Sequence, residues 1–151
     1  MFDRIEVENQ FREYLKHKGL TLTLQRKLIL DEIYKNHEHF EAEEIIQAFL
    51  TSRKKVSRAT IYRTLVHLDE CELIRKIDIG DGRARYEHIY GHEHHEHLCC
   101  MECSQLIEFT DKKLEKRIIK VAKKSKFHIT SHTVQISGYC NACFEVRESK
   151  K

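Results

Sequence analysis

Two dithiol knuckles, Cys100-x-x-Cys103 and Cys140-x-x-Cys143, limit how this chain can fold more than anything else in it. Four thiolates in two such pairs suit a tetrahedral structural zinc, closed to further ligands. A local disulfide or a thioredoxin-like redox pair would account for one knuckle, but two in one small region favour zinc. The 36 residues between them exceed a compact zinc finger and leave room for a helix that returns the second knuckle to the first. Leu106, Ile107 and Phe109 predict a strand, Leu114, Ile118, Val121 and Ala122 a helix, and Val134 and Ile136 a second strand.

The first knuckle closes the stretch "HEHHEHLCCMEC", residues 92–103, which holds four histidines and three cysteines in twelve positions. Side chains alternate sides along an extended segment, so His95 and His97 would point one way and His94 and Glu96 the other. That geometry serves two metal sites back to back, each with nitrogen and oxygen ligands. Such donors accept iron(II), manganese, zinc, nickel or cobalt, and affinity order alone does not choose among them. A zinc protease is not indicated, because Glu96 and Cys99 stand where HExxH needs its second histidine.

Six cysteines without a signal-peptide core predict a reducing, cytoplasmic setting, and no apolar run approaches a membrane span. The composition changes near residue 90: Cys71 is the only earlier cysteine. We therefore expect a linker around Ile89–His92 and two domains, residues 1–90 and 91–151. Cys71 has no pair by spacing and reads as a small buried apolar residue.

The first half is helical by pattern. Val7, Phe11, Tyr14 and Leu15 recur at helical spacing before Gly19. Thr23 can cap a second helix carrying Ile29, Leu30, Ile33 and Tyr34. Ala42, Ile45, Ile46, Phe49 and Leu50 follow the template of one apolar helix face. The fourth helix, "VSRATIYRTLVHLDE", has Ser57 as N-cap, Val56 and Ile61 as a hydrophobic staple, and Ile61, Leu65 and Leu68 as its buried stripe. Its opposite face carries Ala59, Tyr62, Arg63 and Val66, with His67 beside them. No carboxylate lies between Thr51 and Leu68, whereas Arg53, Lys54, Lys55, Arg58 and Arg63 do. Arginine pairs with phosphate or guanine and tyrosine packs on a thymine methyl, so this face reads as a nucleic-acid contact rather than a merely solvated one. "LIRKIDIGDGRARYEHI" then predicts two short strands around an Asp-Gly turn. Three helices followed by a β-hairpin describe a winged helix-turn-helix, with the fourth helix here as reader and the hairpin as wing.

At this point the chain resembles the ferric uptake regulator family of bacterial metal-dependent repressors. The resemblance runs through "LTLTLQRKLIL", "HFEAEEI", "SRATIYRTLVHLDECELI", "RYEHIYGHEHHEHLCCMECSQLIEF" and the final CxxC. It implies an α+β fold: an N-terminal winged helix-turn-helix domain and a small α/β dimerisation domain with a structural zinc site. By position, Cys100, Cys103, Cys140 and Cys143 match the structural zinc ligands. His39, Glu87, His95, His97 and Glu108 match a regulatory site joining the two domains. His94, Glu96, Glu115 and His132 match an additional site. Ser57, Arg58, Ala59, Thr60, Tyr62 and Arg63 fall in the DNA-binding segment, with Tyr62 and Arg63 at the reading positions.

What the resemblance implies is a homodimer, able to form higher oligomers, that binds palindromic operator DNA and uses iron(II) as its signal. Peroxide, zinc, manganese and nickel sensors are the alternatives within the family; a zinc hydrolase lacks a motif here, and a metal-storage protein leaves the reading helix unexplained. Family members that sense peroxide tend to carry aspartate where Glu87 and Glu108 stand. The chain departs from the family pattern at Leu24 (usually proline), Thr21 (often basic), Ser104 (usually glycine) and Cys99 (usually apolar). Cys99 falls on the His95/His97 side of the strand, where it is an extra ligand or a redox liability.

Overall fold

Capping and apolar spacing account for each helix of the first half in a computed structural model, which describes residues 4–35, 39–52, 54–78, 80, 82–91 and 94–150. Arg53 of the basic run, Asp81 of the expected turn and His92 of the expected linker lie outside the described residues.

Helix α1 (Arg4–His17) buries Val7, Phe11 and Leu15. Gly19 then turns the chain at φ 69°, a left-handed conformation that costs glycine little. Helix α2 (Leu24–Ile33) starts at Thr23, whose hydroxyl accepts from the Arg26 amide at 3.3 Å, and buries Ile29, Leu30 and Ile33. Tyr34 falls at its C-cap instead of inside it, and its hydroxyl donates to the Leu73 carbonyl at 2.7 Å. Helix α3 (Ala42–Thr51) buries Ala42, Ile45, Ile46 and Phe49. Leu50 corrects the periodic reading, for it is 66% exposed. At 100° per residue it sits about 90° from the centre of the buried stripe, and the helix ends one residue later.

Helix α4 (Arg58–Glu70) follows Ser57, whose hydroxyl accepts from the Thr60 amide at 3.1 Å. Ile61, Thr64, Leu65 and Leu68 are buried, and half-buried Val56 packs on the same core. Tyr14 ties α1 to α4: its hydroxyl donates to Glu70 and lies 3.3 Å from His67 Nδ1. Cys71 packs partly buried against this core, and burial pushes its thiol up to about 11, which makes it inert at neutral pH.

The expected wing is present as β2 (Ile74–Ile77) against β3 (Arg85–His88), antiparallel. A third strand, β1 (Phe40–Glu41), was not expected; it pairs with the outer edge of β3, so the sheet order is β1-β3-β2. Phe40 opposes Tyr86, with ring centroids 5.6 Å apart. His88 on β3 is structural, its Nε2 donating to the Ile33 carbonyl at 2.9 Å and its ring stacked on Tyr34.

The chain divides into two compact units, with the change between Gly91 and His94. In the second unit β4 (Glu96–Cys100) is central, antiparallel to β5 (Leu106–Phe109) and parallel to β6 (Gln135–Gly138). Helix α5 (Lys112–Lys124) makes the crossover and is capped by Asp111, whose carboxylate accepts from the amides of Lys113 and Leu114 at 2.7 and 3.2 Å. Helix α6 (Asn141–Glu148), absent from the sequence reading, begins within the second knuckle. The buried side chains among the described residues of this unit are Glu96, His97, Cys99 and Cys100. An aliphatic core is missing from that set. Leu98, Ile107 and Ile136 instead form a row across the three strands and are 37%, 43% and 51% exposed. The architecture is α+β, a helical unit with a β wing followed by a mixed-sheet unit.

Candidate metal centres and nucleic-acid interface

Strand register assembles the four cysteines. Cys100 lies opposite Gly138 in the parallel β4–β6 pair, and the Met101 amide donates to the Gly138 carbonyl at 2.8 Å. The second knuckle, two residues further on, is thereby laid against the first. All four sulfurs lie within 4.8 Å of one another, and Cys103 Sγ stands 3.8 Å from Cys140 Sγ. A tetrahedron with metal–sulfur bonds of about 2.3 Å has edges of about 3.8 Å, whereas a disulfide needs about 2.05 Å. The donor set fits zinc. Amide N–H groups of Cys103 and Cys140, the latter 3.3 Å from the sulfur, draw the Cys100 thiol down to about 6. Cys143, crowded by the other thiols and first of all by Cys140, is pushed up to about 12. Cys100 is thus favoured as a thiolate while Cys103 and Cys143 are disfavoured, and a cation among the four sulfurs would relieve that crowding. Ser104, where the family usually has glycine, closes the knuckle at φ 63° with its amide donating to the Cys100 carbonyl at 3.0 Å.

At the other end of β4, alternation separates the histidines as expected. His94, Glu96, Glu115 and His132 bring one ligand atom each within 4.8 Å of one another. His132 Nε2 is 3.1 Å from Glu115 and 3.4 Å from Glu96, and His94 Nδ1 is 3.4 and 3.5 Å from the same two carboxylates. His94 Nε2 donates to the His132 carbonyl at 3.2 Å, which in the neutral ring leaves a lone pair on Nδ1 facing two carboxylates. Glu96 Oε2 accepts from the Val134 amide at 2.6 Å, but its buried Oε1 has no hydrogen-bond partner. Lone pairs converging on an orphaned buried oxygen repel one another until a cation or a proton lies between them. Glu115 is already held below the usual carboxylate range, chiefly by its hydrogen bond from His132.

The remaining candidates fall in two sets, one in each unit. In the first unit His39 Nε2 lies 3.5 Å from Glu87 Oε2. Glu87 is buried on β3, and its other oxygen lies 3.3 Å from Arg75 Nη1 on β2. Sequence reading missed Arg75, although opposite charges facing each other across a hairpin were the signal for it. In the second unit His95 Nε2 is 3.8 Å from Glu108, the His95 and His97 rings are 5.1 Å apart, and His97 is the cross-strand neighbour of Glu108. Cys99 follows on the same face of β4 as His97 and is buried.

On α4, Ala59, Tyr62, Arg63 and Val66 are exposed, with Tyr62 at 40% and Val66 at 54%. Among the described residues no carboxylate pairs with Arg63, so its guanidinium is available to an anion. Arg58 is committed differently: it makes two hydrogen bonds to Glu43 on α3, at 3.0 and 2.8 Å. Ser57 and Thr60 join hydroxyls at 2.8 Å in the cap and position the helix start.

A winged helical unit joined to a unit dense in sulfur, imidazole and carboxylate ligands defines a metal-binding transcriptional regulator with a DNA-binding domain. The chain belongs to the ferric uptake regulator family, which matches residues 17–137. It is 35% identical over 130 residues to the ferric uptake regulation protein of Bordetella parapertussis, covering 85% of this chain and 93% of that one. To the protein of the same description from Campylobacter jejuni it is 32% identical over 136 residues, covering 89% and 86%. The ferric uptake regulator of Helicobacter pylori, described as having three functional metal-binding sites, superposes with a TM-score of 0.78 at 28% identity, covering 95% of each chain. Regulators of this family are not enzymes. Among the described residues no helix is long and apolar enough to cross a membrane.

Proposed function

We propose that this protein is an iron(II)-responsive repressor that binds palindromic operator DNA as a homodimer. The observation that carries this reading is the division of one family ligand set between the units: His39 beside Glu87 in the first, and His95, His97 and Glu108 in the second. A cation shared by both halves stabilises the arrangement in which they converge. It thereby shifts a hinge equilibrium toward the form that spans two half-sites. Roughly ten- to hundredfold preference for that form, about 1.4–2.7 kcal/mol, is enough for a graded switch. Three imidazoles and two carboxylates without sulfur suit iron(II), and the Bordetella and Campylobacter relatives are named for iron. The four-cysteine cage and the cluster at His94, Glu96, Glu115 and His132 complete a structural zinc site and an additional site.

Dimerisation rests on the second unit. Its row of Leu98, Ile107 and Ile136 stays exposed among the described residues, and a twofold-related copy would cover it. The decisive experiment is metal analysis of protein purified anaerobically from its own host, joined to DNA binding with each metal in turn. Iron in the protein and iron-dependent operator binding are expected; occupancy and activation by zinc or manganese alone would reassign the signal.

Reading by α4 is checked separately. Arg63→Ala should weaken operator binding by about 1–3 kcal/mol while metal content and dimer mass stay unchanged. Unaltered binding at physiological salt would remove α4 as the reader.

The carboxylates at Glu87 and Glu108 bear on the choice between an iron and a peroxide sensor. Glutamate's extra methylene lets the carboxylate chelate or re-aim, altering the open coordination position that peroxide must occupy. Mass spectrometry of the iron-loaded protein after a micromolar-range peroxide pulse should therefore find His39 and His95 unmodified. Rapid oxygen addition to either ring, with loss of DNA binding, would make this a peroxide sensor; oxidation at Cys99 alone would not.

A further inference from the structure

Helix α5 carries an unusual charge. Residues 112–126 hold eight of the twenty-seven Lys and Arg and one of the twenty-four Asp and Glu. That leaves nineteen cations against twenty-three carboxylates elsewhere, so the rest of the chain is net −4 and this segment, α5 with the two residues after it, alone makes the protein basic. At 100° per residue Lys112, Lys116, Lys120 and Lys123, with Lys113, Arg117 and Lys124, fall within an arc of about 140°. All seven are exposed, and among the described residues none pairs with a carboxylate. The one acidic residue, Glu115, points elsewhere, to His132 at 3.1 Å.

Helix stability does not explain this pattern. Lys112 and Lys113 occupy the first turn, where the helix dipole disfavours cations. Lys112–Lys116, Lys113–Arg117, Lys116–Lys120 and Lys120–Lys124 are like-charged pairs four residues apart, each of which weakens a helix. Leu114, Ile118 and Ala122 are half-buried on the other side, and the exposed Ile119 and Val121 fall apart on opposite flanks of the basic arc. No aromatic residue lies in the helix, so insertion into a lipid surface is poorly served. What stays open is a strip of hydrated point charges about 19 Å long. Lysine in that form suits phosphate neutralisation without base reading.

We propose that the basic face of α5 is a second, sequence-independent contact for the phosphate backbone of duplex DNA. It supplies the long-range attraction that a chain otherwise net −4 lacks. The choice of duplex DNA as the polyanion rests on the reading of α4 given above.

The test uses the full-length, zinc-loaded protein and a random-sequence duplex of about 30 base pairs, with binding followed by anisotropy across a salt series. The triple variant Lys116→Gln, Lys120→Gln, Lys123→Gln should bind this duplex at least about tenfold more weakly at low salt. Its slope of log affinity against log salt should be shallower by roughly two to three, about 0.9 for each phosphate that the variant no longer neutralises. Zinc content and helical circular dichroism should not change. Equal affinity and slope in variant and parent would overturn the proposal. So would an unchanged duplex affinity with lost binding to phosphatidylserine vesicles, which would assign the face to lipid. A duplex selected by the protein from a random pool separates the two readings. If the parent shows no preference for it over the random duplex while the triple variant still has the shallower slope, α4 reading fails and the α5 contact stands.

Discussion

Cys100→Ser and Cys140→Ser should each abolish zinc binding at the four-sulfur cage and dissociate the proposed dimer to monomers. The second unit has Glu96, His97, Cys99 and Cys100 as its buried side chains among the described residues, and no aliphatic core to hold its sheet without the cage. Small units of this kind depend on metal or on a partner surface, and forming a zinc cage from an unfolded chain contributes on the order of 10 kcal/mol. The first unit owns a continuous core from Val7 to Tyr86 and should remain helical. Elemental analysis, sedimentation and far-ultraviolet circular dichroism on one sample check the three parts together. A zinc-free variant that stayed a well-folded dimer would show that the cage is dispensable.

His95→Ala should abolish the metal response while leaving zinc and dimer in place. His95 stands beside His97 and 3.8 Å from Glu108, away from the four sulfurs and on the opposite side of the strand from the His94 cluster. Removing it takes a ligand from only one half of the proposed shared site, so the differential affinity that drives the hinge disappears. Operator affinity with iron(II) should fall by the whole ten- to hundredfold enhancement, to the level without metal. His94→Ala, which leaves both halves intact, should keep most of the response. Anaerobic titration of a labelled operator with and without iron(II) measures both variants. Equal affinity with and without metal in the unmutated protein would sink the switch.

Local signals told most about this protein. Caps at Thr23 and Ser57, the stripe Ile61–Leu65–Leu68 and the two CxxC knuckles are each written within a few residues, where spacing alone decides which side chains share a face. Alternation in β4 likewise separated His95 and His97 from His94 and Glu96 before any fold was known. Pairings between distant segments were another matter. Strand β1 is two residues long and has no periodicity of its own; it exists because Phe40 meets Tyr86 across 46 positions. Leu50 matched the apolar template and yet is 66% exposed, because it lies about 90° from the centre of the stripe that α3 buries, one residue before the helix ends.

The metal sites divide the same way. From sequence, the type of donor was determined: sulfur at the knuckles, imidazole and carboxylate before them. Tertiary structure decided which donors meet. Parallel pairing of β4 with β6 returns the second knuckle across 36 residues, and the same crossover brings Glu115 on α5 and His132 to His94 and Glu96. Ligand identity is a property of single residues, readable one at a time, whereas coordination is a distance, and only the closed loops of the folded chain set distances between residues far apart in sequence.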